Sequence, residues 1–185
     1  MPLIRALHRS SLGEAARARL TALRDAIEAQ SAADVAALLI GEADAFVRET
    51  ALTYLARLEG AFPAQALILL MREGDTPLRN AAIETLGSLG ERAVDALAGL
   101  IAEGDADARI YALTALQLIE SPRAAELALE TALADADVNV CAVAMDVVAA
   151  SGLRGMGAAL DRVAARFPDH PYLAFAAKTA QRQLG

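Results

Sequence analysis

Apolar residues recur along this chain at helical spacing, and a longer pattern repeats on top of that spacing. The unit Asp-x-x-x-Arg-x-x-Ala-x-x-x-Leu begins at Asp44, at Asp75 and again at Asp105. The arginines of the three copies recur at nearly equal intervals, the second interval being one residue shorter than the first. The offsets between Ala and Leu place them on the same helical face in every copy. An internal repeat of this length is typical of proteins built from stacked helix pairs.

Each repeat is predicted to contain a first helix, a short turn, a second helix and another turn. Gly60, Gly90 and Gly152 follow the first helices, where a residue in a left-handed cap is common. Gly74 and Gly104 close the second helices. The interval between these glycines equals the interval between Arg79 and Arg109. The predicted helices of the repeats span residues 45–58, 63–73, 76–88, 92–103, 106–119, 123–134, 138–150 and 155–166.

A fourth copy begins near Asp135, but its register is ambiguous. If Asp135 starts the unit, Asn139 stands at the arginine position; if Asp137 starts it, Cys141 stands there. The second register fits the downstream apolar residues better. In both registers the arginine is absent from this copy.

The flanking segments are predicted to close the array. Ser11-Leu-Gly-Glu14 has the form of a capping box that opens a helix to about Gln30, and Ser31 caps a helix over 32–40. A last helix, 172–184, follows two prolines and carries polar residues on its outer side. The prediction is therefore one domain, 1–185, with a divergent leading pair (1–41), four repeats (43–167) and a C-terminal capping helix (168–185).

Composition narrows the class of protein further. The chain has 185 residues and a net charge of −7; 46 residues are Ala, and only 4% are aromatic. Such a composition favours helices and excludes a β-rich or disordered chain. One Cys excludes an intramolecular disulfide framework.

The acidity of the chain argues against binding that depends on neutralising nucleic-acid phosphates. The apolar runs are too short to span a bilayer. With no apolar run of signal-peptide length near the N-terminus, we expect the cytoplasm.

The Asp–Arg pairs of the repeats, Asp44–Arg48, Asp75–Arg79 and Asp105–Arg109, have two interpretations. A row of arginines along a groove could hold carboxylates or phosphates. Alternatively, each Asp caps a helix N-terminus and each Arg bridges to an Asp of its own or the next repeat. We favour the second, structural interpretation.

Few residues of the chain indicate chemistry. Cys141 lies among valines and alanines and is predicted to be a buried, inert thiol. His8 and His170 are at opposite ends, and no His/Cys/Asp spacing suggests a metal site. Gly152-Leu-Arg-Gly155-Met-Gly157 superficially resembles a phosphate-binding loop but is predicted to be a turn between helices. We expect neither a cofactor nor an enzymatic activity.

The repeats resemble HEAT-like repeats, in the short form that occurs in phycobilisome lyase-type proteins. The resemblance rests on the three Asp–Arg–Ala–Leu units, on the glycine after the first helix and on the Ala/Leu pattern of the second; it covers about Asp44 to Phe167. It implies an all-α, right-handed α-solenoid of about five helix pairs, whose second helices line the concave side. It is not specific for an activity, because scaffolds, regulators, lyase subunits and DNA-base repair proteins contain such repeats.

The second helices are predicted to carry a binding surface. Taking Leu67, Leu97 and Leu129 as their buried positions leaves five polar residues exposed, most of them acidic: Gln65, Asp95, Glu126, Glu130 and Asp161. A basic segment or helix of a partner protein would suit this surface. The alternative is an ordinary solvated helix face.

These observations predict a non-catalytic protein–protein interaction module: an adaptor, scaffold or regulator that binds a partner segment on the concave second-helix face. The alternative, implied by the family resemblance alone, is a bilin-lyase-like subunit or chromophore chaperone. DNA-base repair is disfavoured by the net charge, a single Lys and the lack of Trp. Neither nucleic acid nor a membrane is expected as a partner, whereas homo- and hetero-oligomers are both compatible with the sequence.

Overall fold

The part of the chain that the computed structural model describes, residues 13–184 without the side chains of Ala180, Gln183 and Leu184, is all-helical. It contains no strand, which confirms the all-α class. Its eleven helices are α1 (Glu14–Glu28), α2 (Ala32–Ile40), α3 (Ala45–Leu55), α4 (Phe62–Glu73), α5 (Thr76–Leu89), α6 (Glu91–Glu103), α7 (Ala106–Gln117), α8 (Pro122–Ala134), α9 (Val138–Ala150), α10 (Gly157–Ala165) and α11 (Pro171–Leu184). Odd-numbered helices are the first helices of the pairs, and even-numbered helices are the second. None of the helices in residues 13–184 has the length and apolar character needed to cross a bilayer.

Helix boundaries agree with the sequence pattern to within two residues, except at the end of α3. That helix was expected to reach residue 58 and ends at Leu55. The carbonyl oxygens of Ala56 and Leu58 instead accept hydrogen bonds from Arg92, at 3.2 and 2.5 Å. If α3 continued to residue 58, these carbonyl groups would lie in its last turn and would have no partner within the helix. Arg92 of α6 supplies that partner.

At the start of the described chain, α1 begins at Glu14. Its N-cap is Gly13, which is extended with φ −62° and ψ 155°. Ser11, the first residue of the expected capping box, lies outside the described residues, as does His8.

The chain divides into two compact units at Ala96 and Leu97, within α6. In the first unit, α1 packs on α3 and α3 packs on α5, while α2 packs on α4. Further contacts join α1 to α2 and α4 to α5. First helices therefore lie beside first helices, and second helices beside second helices.

The second unit has the same pattern of contacts. Here α7 packs on α9 and α9 on α11, while α8 packs on α10. The pairs α7–α8, α8–α9 and α10–α11 are also in contact. Within each unit, the helices named here thus pack mainly against the helices one and two places away along the chain.

Leucine and alanine form the core of each unit. Leu55, Leu67 and Leu86 are completely buried in the first unit, and Leu113 and Leu160 in the second. Completely burying one such side chain contributes about 1.5–3 kcal/mol. The alanines of the repeat unit, Ala51, Ala82 and Ala112, are also completely buried; their short side chains allow neighbouring helices to approach closely.

Glycines occupy the turns with two different geometries. Gly60, Gly90 and Gly152 have positive φ angles of 85°, 63° and 69°, a conformation that favours glycine. Gly74 has an ordinary φ of −72°, but a Cβ there would lie 2.5 Å from the carbonyl oxygen of Leu70. Glycine is therefore needed at the first three positions for its backbone angles and at Gly74 for the space it leaves.

Candidate functional site

The three aspartates of the repeat unit are helix N-caps. Asp44 caps α3, Asp75 caps α5 and Asp105 caps α7. Each carboxylate accepts one backbone N–H hydrogen bond, at 2.9 Å in every case. Because the first N–H groups of a helix lack partners within the helix, these bonds stabilise the start of each first helix.

Two arginines of the repeat unit reach the acid of the next repeat. Arg48 Nη1 lies 3.0 Å from Asp75 Oδ2, and Arg109 Nε lies 2.7 Å from Asp135 Oδ2. The Arg109–Asp135 pair is the more buried, with 22% and 9% of the two side chains exposed. Both arginines therefore join consecutive repeats and are not presented as a free row of cations.

The same arginine position also supplies donors to the end of the preceding second helix. Arg79 donates to the carbonyl oxygens of Met71 and Gly74, each at 3.0 Å. Arg109 donates to Gly104 O at 2.8 Å. These contacts place a positive charge at the C-terminal, negative end of a helix, where it is stabilising.

Asp75 both caps a helix and binds the arginine of the preceding repeat. In the fourth copy, these two roles are divided between two acids. Asp137 caps α9, accepting from the backbone N–H groups of Asn139 and Val140. Asp135 binds Arg109 and accepts the Asp137 N–H at 2.8 Å. The register that starts at Asp137 is thus the one in which the acid caps the helix.

Arg166 takes the place in space of the arginine that the fourth copy lacks. It extends from the end of α10 and donates to Ala132 O and Leu133 O, both at 2.8 Å, and also to Asp135 O. Cys141, at the vacated sequence position, is completely buried, and its Sγ donates to Asp135 O at 3.4 Å. Burial raises the pKa of the Cys141 thiol, so the thiol stays protonated and unreactive near neutral pH.

A buried carboxylate at Glu42 was not expected from the sequence. This residue is 5% exposed; its carboxylate lies 2.7 Å from Arg19 Nε and accepts the Asp44 N–H at 2.8 Å. The arrangement matches that of Asp135 with Arg109 and Asp137. Both sites have an acid two residues before the capping Asp with alanine between them, Glu42-Ala-Asp44 and Asp135-Ala-Asp137. In the other two copies the intervening residue is glycine, and the acid, Glu73 or Glu103, is exposed.

The five residues expected to form the second-helix surface are all exposed. Gln65 on α4 and Asp95 on α6 belong to the first unit. Glu126 and Glu130 on α8 belong to the second, with Asp161 on the neighbouring helix α10. Asp161 accepts a hydrogen bond from Gln181 of α11.

One buried position that defined this surface was assigned wrongly. Leu67 and Leu97 are completely buried, whereas Leu129 is only half-buried. The equivalent position in α8 is Ala128, which is completely buried. The step from Leu97 to Ala128 is one residue longer than the step from Leu67 to Leu97. Glu126 still lies two residues before a buried position, as Gln65 and Asp95 do.

The structure reveals a groove that the sequence did not predict. It lies between the first helices α3 and α5, and has a volume of about 570 Å³. Its lining includes Leu52 and Leu78, 7% and 1% exposed, with the smaller Ala45, Ala56 and Ala81 around them. Small side chains on the facing helices leave the space between them, but 46 residues of the chain are Ala, so their presence did not indicate the groove.

Charged residues border this groove on both helices. Glu49 on α3 and Glu84 on α5 are exposed, as is Arg57 just beyond the end of α3. Arg48 also lines the groove but is paired with Asp75. The groove therefore has an apolar floor with a carboxylate on each wall.

The described residues do not form a metal site. Residues 13–184 contain no group of three His, Cys, Asp or Glu side chains that could hold a metal ion.

The segment from Gly152 to Met156 is a turn between α9 and α10, as expected, and follows no strand. His170 lies in the turn before α11, with its ring edge-on to Phe167 at 6.3 Å between centroids.

No protein-family model matches the chain, and a search of curated proteins gives no match either.

Proposed function

We propose that this chain is a HEAT-like repeat protein and works as a non-catalytic protein-interaction module. The contact pattern supports the repeat architecture, because first helices pack on first helices and second on second in each unit. The carboxylate caps at Asp44, Asp75 and Asp105 support it as well. A right-handed α-solenoid of about five pairs in a single domain, located in the cytoplasm, is part of this proposal.

The observation that carries the interaction function is the groove between α3 and α5. An apolar floor bordered by polar and charged residues is the usual form of a groove that receives an amphipathic helix. The aliphatic side chains Leu52 and Leu78 would contact the apolar face of that helix. Glu49 and Glu84, one on each wall, would pair with its basic residues.

This proposal moves the principal binding surface from the second helices to the first. Gln65, Asp95, Glu126, Glu130 and Asp161 are exposed, as a binding face or a solvated face would require. The groove adds a formed concavity with an apolar floor, which is why we favour it. The predicted partner chemistry, a basic segment or helix, stays the same.

The bilin-lyase-like alternative has less support. Cys141, the one thiol of the chain, is completely buried, and burial raises its pKa. Both features oppose attachment of a chromophore at this residue.

Site-specific photo-crosslinking in the native cell extract tests the groove. A photoreactive amino acid is placed at Thr53, inside the groove, or at Glu130, on the second helices. We expect Thr53 to crosslink a protein whose labelled peptide has an apolar residue next to Lys or Arg. Ala81→Arg, which fills the groove, should weaken this binding by about tenfold or more.

The matched control is Ala102→Arg, the same substitution at an exposed position of α6 away from the groove. It should leave the Thr53 crosslink unchanged, and both variants should keep the helical circular dichroism of the parent. Crosslinking from Glu130 that survives Ala81→Arg, with none from Thr53, would place the partner on the second helices instead.

A further inference from the structure

The C-terminal helix α11 exposes large aromatic side chains. Phe175 is 66% exposed and Tyr172 is 50% exposed, while Leu173 and Ala177 of the same helix are buried. The Tyr172 hydroxyl donates to the Asp146 carboxylate of α9 at 2.9 Å. This bond and the buried side chains hold α11 so that Phe175 faces solvent.

Two cations lie on the same face of α11 as Phe175. Lys178 and Arg182 follow Phe175 by three and seven residues, spacings that place all three side chains along one stripe of a helix. Both cations are exposed. The outer stripe of α11 thus consists of one aromatic residue followed by two positive charges.

This stripe is complementary to the groove between α3 and α5. The groove offers an apolar floor at Leu52 and Leu78 and carboxylates at Glu49 and Glu84. The stripe offers an aromatic side chain for the floor and a cation for each carboxylate. Charge complementarity of this kind selects a partner and its orientation.

We propose that the occupant of the groove is α11 of a second copy of this chain, a proposal that rests on the proposed role of the groove. Phe175 lies on the groove floor, and Lys178 and Arg182 lie beside Glu49 and Glu84. The contact joins two different surfaces. A dimer formed in this way keeps one groove, on one copy, and one α11 stripe, on the other, unused, and further copies add head to tail. Because exposed charges contribute, added salt weakens the association.

Sedimentation velocity of the purified full chain tests this proposal, from about 1 μM to about 1 mM, a span that covers weak to moderate affinities. We expect the parent protein to form dimers and larger species as concentration rises. The groove variant Glu49→Arg/Glu84→Arg and the helix variant Phe175→Ser/Lys178→Glu/Arg182→Glu should each associate at least about tenfold more weakly. Leu118→Ser changes another exposed apolar residue, 51% exposed and outside both surfaces, and should associate like the parent.

Mixing the two variants gives the decisive result. The groove variant retains an intact α11, and the helix variant retains an intact groove, so an equimolar mixture should form a 1:1 dimer that does not extend. Circular dichroism shows whether each variant keeps its helices. A folded variant pair that fails to form the mixed dimer would overturn the proposal, as would association of the parent that neither variant weakens.

The result separates this proposal from the proposed function. If the parent protein stays monomeric throughout the range while Ala81→Arg still abolishes the Thr53 crosslink to another protein, the groove binds a different partner and only the self-association is wrong. If Thr53 crosslinks a second copy of this chain, both proposals are supported.

Discussion

Arginine side chains bring donors to the ends of second helices in both units, although they come from different sequence positions. Arg79 and Arg109 come from the helix that follows directly, whereas Arg166 comes from the far end of α10, about a full repeat beyond the carbonyl groups that it binds. The physical need is the same, since the last carbonyl groups of a helix have no partners within it. The spacing Asp-x-x-x-Arg led us to expect arginine–aspartate bridges, but it did not predict these contacts with carbonyl groups. Nothing in the local sequence of Cys141 indicated that Arg166 would replace the missing arginine.

At Asp75 the contacts of one carboxylate make stability depend on pH. The Leu78 N–H bond is the main reason that the pKa of Asp75 lies below its usual value, and Arg48 is the second. Protons then bind more readily to the unfolded chain, so this contribution is complete above the unfolded pKa and is lost as pH falls through the folded pKa. We expect Asp75→Asn to lower the thermal midpoint near pH 7, and the difference from the parent to shrink towards pH 3.

The substitution by Asn isolates the charge, because Asn is also a good N-cap. Adding Arg48→Met to both proteins shows how much of the pH dependence is due to Arg48; the remainder is due mainly to the Leu78 N–H, with a smaller contribution from Arg79. Thermal unfolding followed by circular dichroism between pH 3 and pH 7 measures all four proteins. A difference between Asp75→Asn and the parent that is the same at every pH would contradict the assignment.

Among the helices, positions and lengths were largely predictable, whereas details at their ends were not. The periodicity located the helices because buried Ala and Leu recur on one face in each repeat. The end of α3 was missed because Arg92, which bonds Ala56 and Leu58, lies in another helix. The register of α8 was missed because Ala128 and Leu129 both fit an apolar position, and a small change in the length of the repeat decides between them.

Two glycines of α6 give a prediction about how this helix ends. A Cβ at Gly104, which follows the helix, would lie 2.5 Å from Leu100 O and 2.9 Å from the Ala108 Cβ. Gly104→Ala should therefore destabilise the protein by roughly 1–3 kcal/mol, the usual cost of overpacking. Gly99, inside the same helix, has nothing within 4 Å of such a Cβ, so Gly99→Ala should stabilise by up to about 1 kcal/mol.

Urea unfolding measures both glycine variants against the parent. Opposite signs at the two positions would support the geometry of the turn after α6. Equal effects of the two substitutions would show that the chain leaves α6 by a different path.

On the scale of the whole molecule, features that depend on positions within one helix could be predicted from the sequence. Features that depend on how two helices pack together could not. The core follows from repeated Ala and Leu positions within each helix, which the sequence displays directly. The groove depends on the distance from Ala45 in α3 and Ala56 just after it to Ala81 in α5, and the packing of the two helices sets this distance. In the sequence, Glu49 and Glu84 cannot be distinguished from other exposed acids. The packing of α3 beside α5 is what places them on the two walls of the groove.

The proposed repeat architecture also predicts how the effect of a destabilising substitution spreads along the chain. Within each unit the helices pack mainly on helices one and two places away, and stability in such an array is a sum of local contributions. Leu67→Ala in α4 and Leu160→Ala in α10 each remove a completely buried side chain, at a cost of about 2–5 kcal/mol. Native-state hydrogen exchange should show at least about tenfold faster exchange in α2, α4 and α5 for the first variant, and in α8, α10 and α11 for the second. Each variant is the control for the other, because helices far from its substitution should keep the protection of the parent. Equal loss of protection in all helices for both variants would mean that the chain unfolds as one cooperative unit, and the proposal of a HEAT-like array would lose its energetic basis.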